Sequence, residues 1–183
     1  PRFLMIAVLC VTFYCTVIRF KKFGVSILLP LFGVDLDIAT VLLAMIPFFT
    51  ILFTPLFGAL VDKVGKATLW MIVGSAMVLV SHLIITFAPQ GEPMYAYIAI
   101  ALLGIGYSLV PSAMWPSVPK IIPEKNLGTA YSLIYWVQNL GMWAVPIYVG
   151  RIFKKEITEA GNISQEITAA IHAEYVFIFL GIV

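Results

Sequence analysis

The chain has 183 residues, 62% of them hydrophobic and 11% charged, with a formal charge of +2 and a mean hydropathy of +1.04. Soluble domains carry roughly 45–50% apolar and about 25% charged residues, so a water-soluble fold of this length has no way to hide so much apolar surface. The balance excludes a soluble globular domain, and the weak net charge gives no electrostatic case for nucleic acid. Lipid is the solvent it calls for, and an all-α polytopic membrane bundle is the fold.

A bilayer core about 30 Å thick needs about 20 apolar residues in a helix. The first apolar stretch, residues 3–32, is interrupted by Arg19, Lys21 and Lys22. Each such cation at a helix centre costs about 2.5–3.5 kcal/mol, and three facing lipid cost roughly 8–10 kcal/mol by simple addition. They must therefore snorkel to an interface or point into an aqueous cavity; alternatively, Lys22 and Gly24 mark a break between two short helical arms. A cation in a cavity suits a substrate carboxylate or phosphate, which makes Arg19 and Lys22 candidate substrate ligands. Cys10 and Cys15 also lie here, and on one helix they point too far apart to pair, so they read as buried thiols.

Residues 41–61, 67–87, 94–115 and 129–149 are each long enough to cross and contain no Asp, Glu, Lys or Arg. Pro47 and Pro55 in the first of these, and Pro111, Pro116 and Pro119 at the end of the third, predict kinks of a kind that suits gating motions. His82, in the second, reads either as a proton-pathway group or as a packing donor. With no carboxylate in any of the four, proton coupling has no support at this level. Ser108, Ser112 and Trp115 fall on one helical stripe, and Tyr131, Tyr135 and Gln138 on another. Polar stripes in membrane helices must face protein or water, so these are interhelical hydrogen-bonding groups or substrate contacts. Trp115, Tyr131, Tyr135 and Gln138 are the candidates for the second role. Residues 151–174 read as the one long polar segment, and residues 175–183 as an apolar run too short to cross, the first half of a sixth span.

Placing Pro1 in the cytoplasm puts Arg2, Lys63, Lys66, Lys120 and Lys125 inside, as bases in short loops favour. Arg151, Lys154 and Lys155 then lie outside, with the sequon Asn162-Ile163-Ser164, to which no function is assigned.

The junction Gly58-Ala59-Leu60-Val61-Asp62-Lys63-Val64-Gly65-Lys66 is the sharpest local signal. Gly58 allows close helix approach, Gly65 permits a tight connection, and Asp62 can cap the next helix or complement the positive end of a neighbour. The pattern G-x-L-x-D-x-x-G-K resembles the loop signature of the major facilitator superfamily, which links the second and third helices of each six-helix half. The resemblance implies a conformational latch of Gly58, Asp62, Lys63, Gly65 and Lys66, with Asp62 facing the N-terminal end of the span beginning near Thr129. Ala67 stands where many members carry a second base.

A second likeness runs through Trp115-Pro116-Ser117-Val118-Pro119, Ile122-Pro123-Glu124-Lys125-Asn126-Leu127-Gly128-Thr129-Ala130-Tyr131 and Gln138-Asn139-Leu140, with Leu79-Val80-Ser81-His82 upstream. These residues resemble the lysosomal dipeptide transporter branch of that superfamily and its prokaryotic relatives. The likeness implies that residues 1–183 are a C-terminal six-helix half with its sixth helix truncated, partnered by an N-terminal half of the same protein. It implies a lysosomal membrane in an animal or the cell inner membrane in a prokaryote. The implied activity is alternating-access transport of a dipeptide or similar small carboxylate-bearing molecule. The first-stretch cations equally suit an organic-anion or sugar-phosphate carrier, and a receptor or assembly subunit on the same scaffold stays open. No motif links Cys10, Cys15 and His82, so neither an intramembrane enzyme nor a metal or other cofactor is read.

Overall fold

The computed structural model describes residues 2–157 and 162–182; Pro1 and Val183, the ends of the expected transmembrane half, lie outside them. The described residues form α1 (Arg2–Phe32), α2 (Leu36–Val64), α3 (Ala67–Phe87), α4 (Pro93–Met114), α5 (Leu127–Glu156) and α6 (Ile163–Ile182). Short 3-10 turns at Trp115–Ser117 and Glu124–Asn126 join α4 to α5. Four segments, Arg2–Phe32, Leu36–Val64, Ala67–Phe87 and Pro93–Ser117, are long and apolar enough to cross a membrane. Residues 129–149 are helical throughout, inside α5. Gln138, Asn139 and the tyrosines dilute its apolar run, and α5 is not among those four.

Two boundaries differ from the sequence reading. Helix α1 runs unbroken through Arg19, Lys22 and Gly24, so two short arms do not form. Gly24 is buried because it leaves room for Leu43 of α2, which a side chain there would strike. The glycine marks a helix contact, not a break. Helix α6 begins at Ile163, well ahead of the apolar run at residue 175, and α5 continues to Glu156, so most of the expected polar segment is helix. The buried face of α6 is Ala169, Ala170, Ala173, Glu174 and Phe177. An amphipathic turn of this kind has no unbroken apolar run to read.

From α1 to α5 each connection reverses the chain. At one end, the Gly91 N–H in the α3–α4 turn donates to Leu31 O at 2.9 Å. At the other, Phe3 shares a groove with Ile122, Pro123, Asn126 and Thr129. Alternating passes thus gather Arg2, Lys63, Lys66, Lys120 and Lys125 at one end of the bundle. Pro47, Pro55, Pro111 and Pro146 all sit inside continuous helices. Ser112 Oγ lies 2.7 Å from Ser108 O and 3.3 Å from Thr54 O, so one hydroxyl ties the proline-bearing stretches of α4 and α2.

Helix α1 is the hub and touches all the other α-helices. Its register with α5 is parallel: Cys10 meets Gln138, Cys15 meets Gly141, and Phe23 stacks on Phe153. Lipid tails are as apolar as leucine, so helices associate here through close packing rather than through the hydrophobic effect. The closest approach of a glycine to another helix's backbone joins α3 and α4, where a Cβ on Gly106 would lie 2.7 Å from the Gly74 carbonyl oxygen. Backbone cannot yield as a side chain can. Gly106→Val should therefore push the two helices apart, at the roughly 1–3 kcal/mol typical of overpacking. The thermal midpoint of the full-length protein in detergent should fall, and an unchanged midpoint would show that this contact does not limit packing.

Candidate functional site

Pro116 removes a backbone donor just after α4, and the helical ladder tightens there into the 3-10 turn that carries Trp115. The indole stands among aromatic side chains from three helices. Its Nε1–H donates to Tyr14 Oη on α1 at 2.9 Å. Its ring stacks on Tyr135 of α5, with centroids 5.1 Å apart, and tilts against Tyr131 at 5.9 Å. Tyr131 Oη donates a long bond, 3.5 Å, to Trp115 O. Tyr107 of α4 meets Tyr14 edge-on at 6.0 Å and stacks on Phe13 at 5.9 Å. Tyr14, Tyr107, Trp115 and Tyr131 are half-buried and Tyr135 is 48% exposed, so the cluster is a partly open wall rather than a sealed core. Such a wall offers π-faces to apolar or cationic groups, and phenol oxygens for hydrogen bonds.

The structure brings together Trp115, Tyr131 and Tyr135 of the sequence candidates. Gln138, on the same stripe, is buried beneath them and accepts a hydrogen bond from the Cys10 thiol at 3.1 Å, joining α5 to α1. Arg19 is half-buried, one turn beyond Cys15 on α1, and among the described residues its Nε is buried without a hydrogen-bond partner. Lys22 is exposed, with Nζ 5.8 Å from the centroid of the adjacent Phe23 ring. No hydrogen bond, ion pair or ring contact among the described residues joins either cation to the wall.

The loop signature is shaped differently from its simplest reading. Asp62 lies in the last turn of α2 and is exposed; it does not cap α3, whose preceding residue is Lys66 at φ 54°. Gly65 closes α2 at φ 71°, a left-handed angle that other residues rarely adopt. Its carbonyl accepts from Trp70 Nε1 at 3.1 Å, which fixes the start of α3. A Cβ on Gly58 would meet nothing within 4 Å, so among the described residues that glycine serves no close helix approach. Lys63 and Lys66 are exposed. Among the described residues the ion pairs are His82–Glu174 and His172–Glu156, and Asp62 enters neither.

Sequence reasoning missed Tyr14 and Tyr107 as members of the wall, and it missed the partner of His82. His82 Nδ1 and Glu174 Oε2 lie 2.7 Å apart with both side chains fully buried. The imidazole is flanked by Phe20 of α1, edge-on at 5.2 Å, and by Phe177 of α6, stacked at 5.5 Å. The signal that would have found Glu174 is the spacing Ala170, Ala173, Glu174, Phe177, one face of a helix that starts before the apolar run. Nothing local distinguishes Tyr14.

Together the apolar helices, the hub helix and the short reversing loops define an integral, multi-pass membrane protein. The chain belongs to the major facilitator superfamily, whose family model matches residues 1–146. It is 35% identical over 148 residues to the human lysosomal dipeptide transporter MFSD1, covering 81% of this chain and 31% of the relative. The mouse protein of the same name is 36% identical over 149 residues, and the zebrafish (Danio rerio) protein 32% over 148, with the same shares covered. The chain thus spans about a third of the length of the curated relatives it matches. No solved structure matches it significantly.

The seating of Cys10 against Gln138 and of Cys15 against Gly141 sets a labelling pattern, since both thiols are free and buried. In the folded full-length protein neither should react with a charged maleimide, and both should react after denaturation in SDS. Rapid labelling of either thiol before denaturation would contradict the α1–α5 register.

Proposed function

We propose that the chain is one half of a carrier that moves a small solute across the membrane by alternating access, without chemical change to it. The solute of choice is a dipeptide or a similar small carboxylate-bearing molecule. The observation that carries this reading is the partly open aromatic wall of Trp115, Tyr14, Tyr107, Tyr131 and Tyr135 within a membrane bundle. Carriers of this architecture hold substrate near the midplane between two repeats. This wall would be one side of that cavity, and an N-terminal six-helix half of the same protein the other.

Arg19 supplies the complementary chemistry. A guanidinium at membrane depth is costly unless it meets an anion or water, and its buried Nε has no hydrogen-bond partner among the described residues. A substrate carboxylate would take two parallel donors from it. The dipeptide assignment is supported by the relatives, which are named as dipeptide transporters. The exposed loop of Asp62, Lys63, Gly65 and Lys66 would act as the latch, with Asp62 left accessible for a partner in another access state. Arg19 also suits an organic-anion or sugar-phosphate carrier, so substrate choice is the point to test.

Counterflow of labelled dipeptide in proteoliposomes of the full-length protein should be saturable. Arg19→Ala should raise KM by about tenfold or more, as expected when a hydrogen bond to a charged group, about 1.5–3 kcal/mol, is lost. Trp115→Ala should also weaken exchange, whereas Lys22→Ala, beside Phe23 rather than the wall, should change little. Saturable exchange of organic anions or sugar phosphates with no dipeptide counterflow would reject the assignment.

A further inference from the structure

The His82–Glu174 pair has no part in the aromatic wall. It lies where α3, α6 and α1 meet, with both side chains 0% exposed. Among the described residues, His82 Nε2 and Glu174 Oε1 are buried without hydrogen-bond partners, so the whole polar content of the site is one close contact. With imidazole neutral and carboxylate ionised the pair carries a net charge of −1, with one more proton it is neutral, and with both groups loaded it carries +1. A net charge sealed from solvent is strongly disfavoured, while a neutral hydrogen-bonded pair is tolerated.

Among the described residues, no neighbouring charge offers to balance the site. From α1 the facing residue is Phe20; Arg19, Lys21 and Lys22 on that helix make no ion pair with Glu174 among the described residues. The Cys10 and Cys15 thiols face Gln138 and Gly141 of α5. From α6, Phe177 stacks on the imidazole; Glu166 is exposed, and His172 is engaged with Glu156 of α5 at 3.3 Å. Arg151, Lys154 and Lys155 are exposed near the end of α5. Apart from His82, α3 carries no ionisable side chain.

We propose that His82 and Glu174 together form a proton-binding site inside the bundle: Nδ1 and Oε2 hold one proton between them, and that proton keeps α6 docked on α1 and α3. The proton comes from solvent on folding and returns to solvent when the pair is opened. In an unfolded chain, glutamate and histidine lose their protons near their ordinary values of about 4.3 and 6.5. Above about pH 6.5 the unfolded pair therefore holds none while the folded pair holds one. Folding then takes up a proton, so the folded state weakens as pH rises, by about tenfold in the folded-to-unfolded ratio per pH unit.

The test is the unfolding midpoint of the full-length protein in detergent, followed between pH 7 and 9 for wild type and Glu174→Gln. The carboxamide keeps a hydrogen bond to the imidazole but carries no titratable proton. Wild type should lose stability over this range more steeply than Glu174→Gln, the difference being about tenfold in the folded-to-unfolded ratio per pH unit. If Glu174→Gln does not accumulate, the double variant His82→Gln with Glu174→Gln, a neutral amide pair, serves as the reference. A flat wild-type profile, or the same slope in wild type and the amide variant, would overturn the proposal. No substrate enters the measurement, so its outcome is independent of the dipeptide reading.

Discussion

Hydrocarbon offers no hydrogen bonds, so each polar group in this bundle must find its partner within the protein. Most do so on their own helix. Thr12, Thr16, Thr86 and Ser108 each donate to a carbonyl one turn back. The groups that reach across helices are few, and they help fix how the helices sit; among them are Ser81 to Ala99 O, Ser112 to Thr54 O, Cys10 to Gln138, Trp115 to Tyr14, and His82 to Glu174. Three of these contacts involve or flank α1. The helix at the hub is thus located by polar contacts, while its remaining area packs by shape, as at Gly24 against Leu43.

This arrangement gives α1 two differently built sides. Around Tyr14 it contributes to an aromatic surface that stays partly open. Around Phe20 it meets a dry, closed pair of ionisable groups braced by a second aromatic ring from α6. Beside the open wall, interhelical polar contacts add to shape packing in fixing the rotation of α1. The buried pair and the Cys10–Gln138 contact are two of them.

Much of the fold was legible in the sequence, and the exceptions have physical causes. Helices α2, α3 and α4 announce themselves because a crossing helix needs a long apolar run. For helix α1 the sequence leaves a break open as an alternative, because cations and a glycine look alike whether they end a helix or serve its contacts; the contact with Leu43 settles which. The start of α6 escapes because a run of small residues on one face, Ala169, Ala170 and Ala173, is buried without being continuously apolar. In the candidate site, Tyr131 and Tyr135 on α5 and the proline-marked Trp115 at the end of α4 are visible from spacing, because each falls on a helical stripe within its own segment. Tyr14 and Tyr107 join them only through packing of α1 and α4, and Glu174 meets His82 across 92 positions of sequence. Pairings at that separation leave no local periodicity to read.

Helix α5 shows why the open wall matters to the assembly. One row, Leu133, Trp136, Leu140, Trp143 and Ile147, is exposed and largely apolar, and lipid or protein can cover it equally well. The neighbouring row holds Ser132, Tyr135 and Asn139, all exposed. Ser132 and Asn139 quiet part of their polarity by bonding to Gly128 O and Tyr135 O of their own helix. That leaves further donors and acceptors on Asn139 and Tyr135 that hydrocarbon cannot satisfy. The second row therefore demands water or a polar protein surface at membrane depth. In the proposed carrier, a wet cavity shared with another bundle would meet that demand on the same side as the aromatic wall, and the polar character that keeps α5 from being a simple apolar span would suit it to line one.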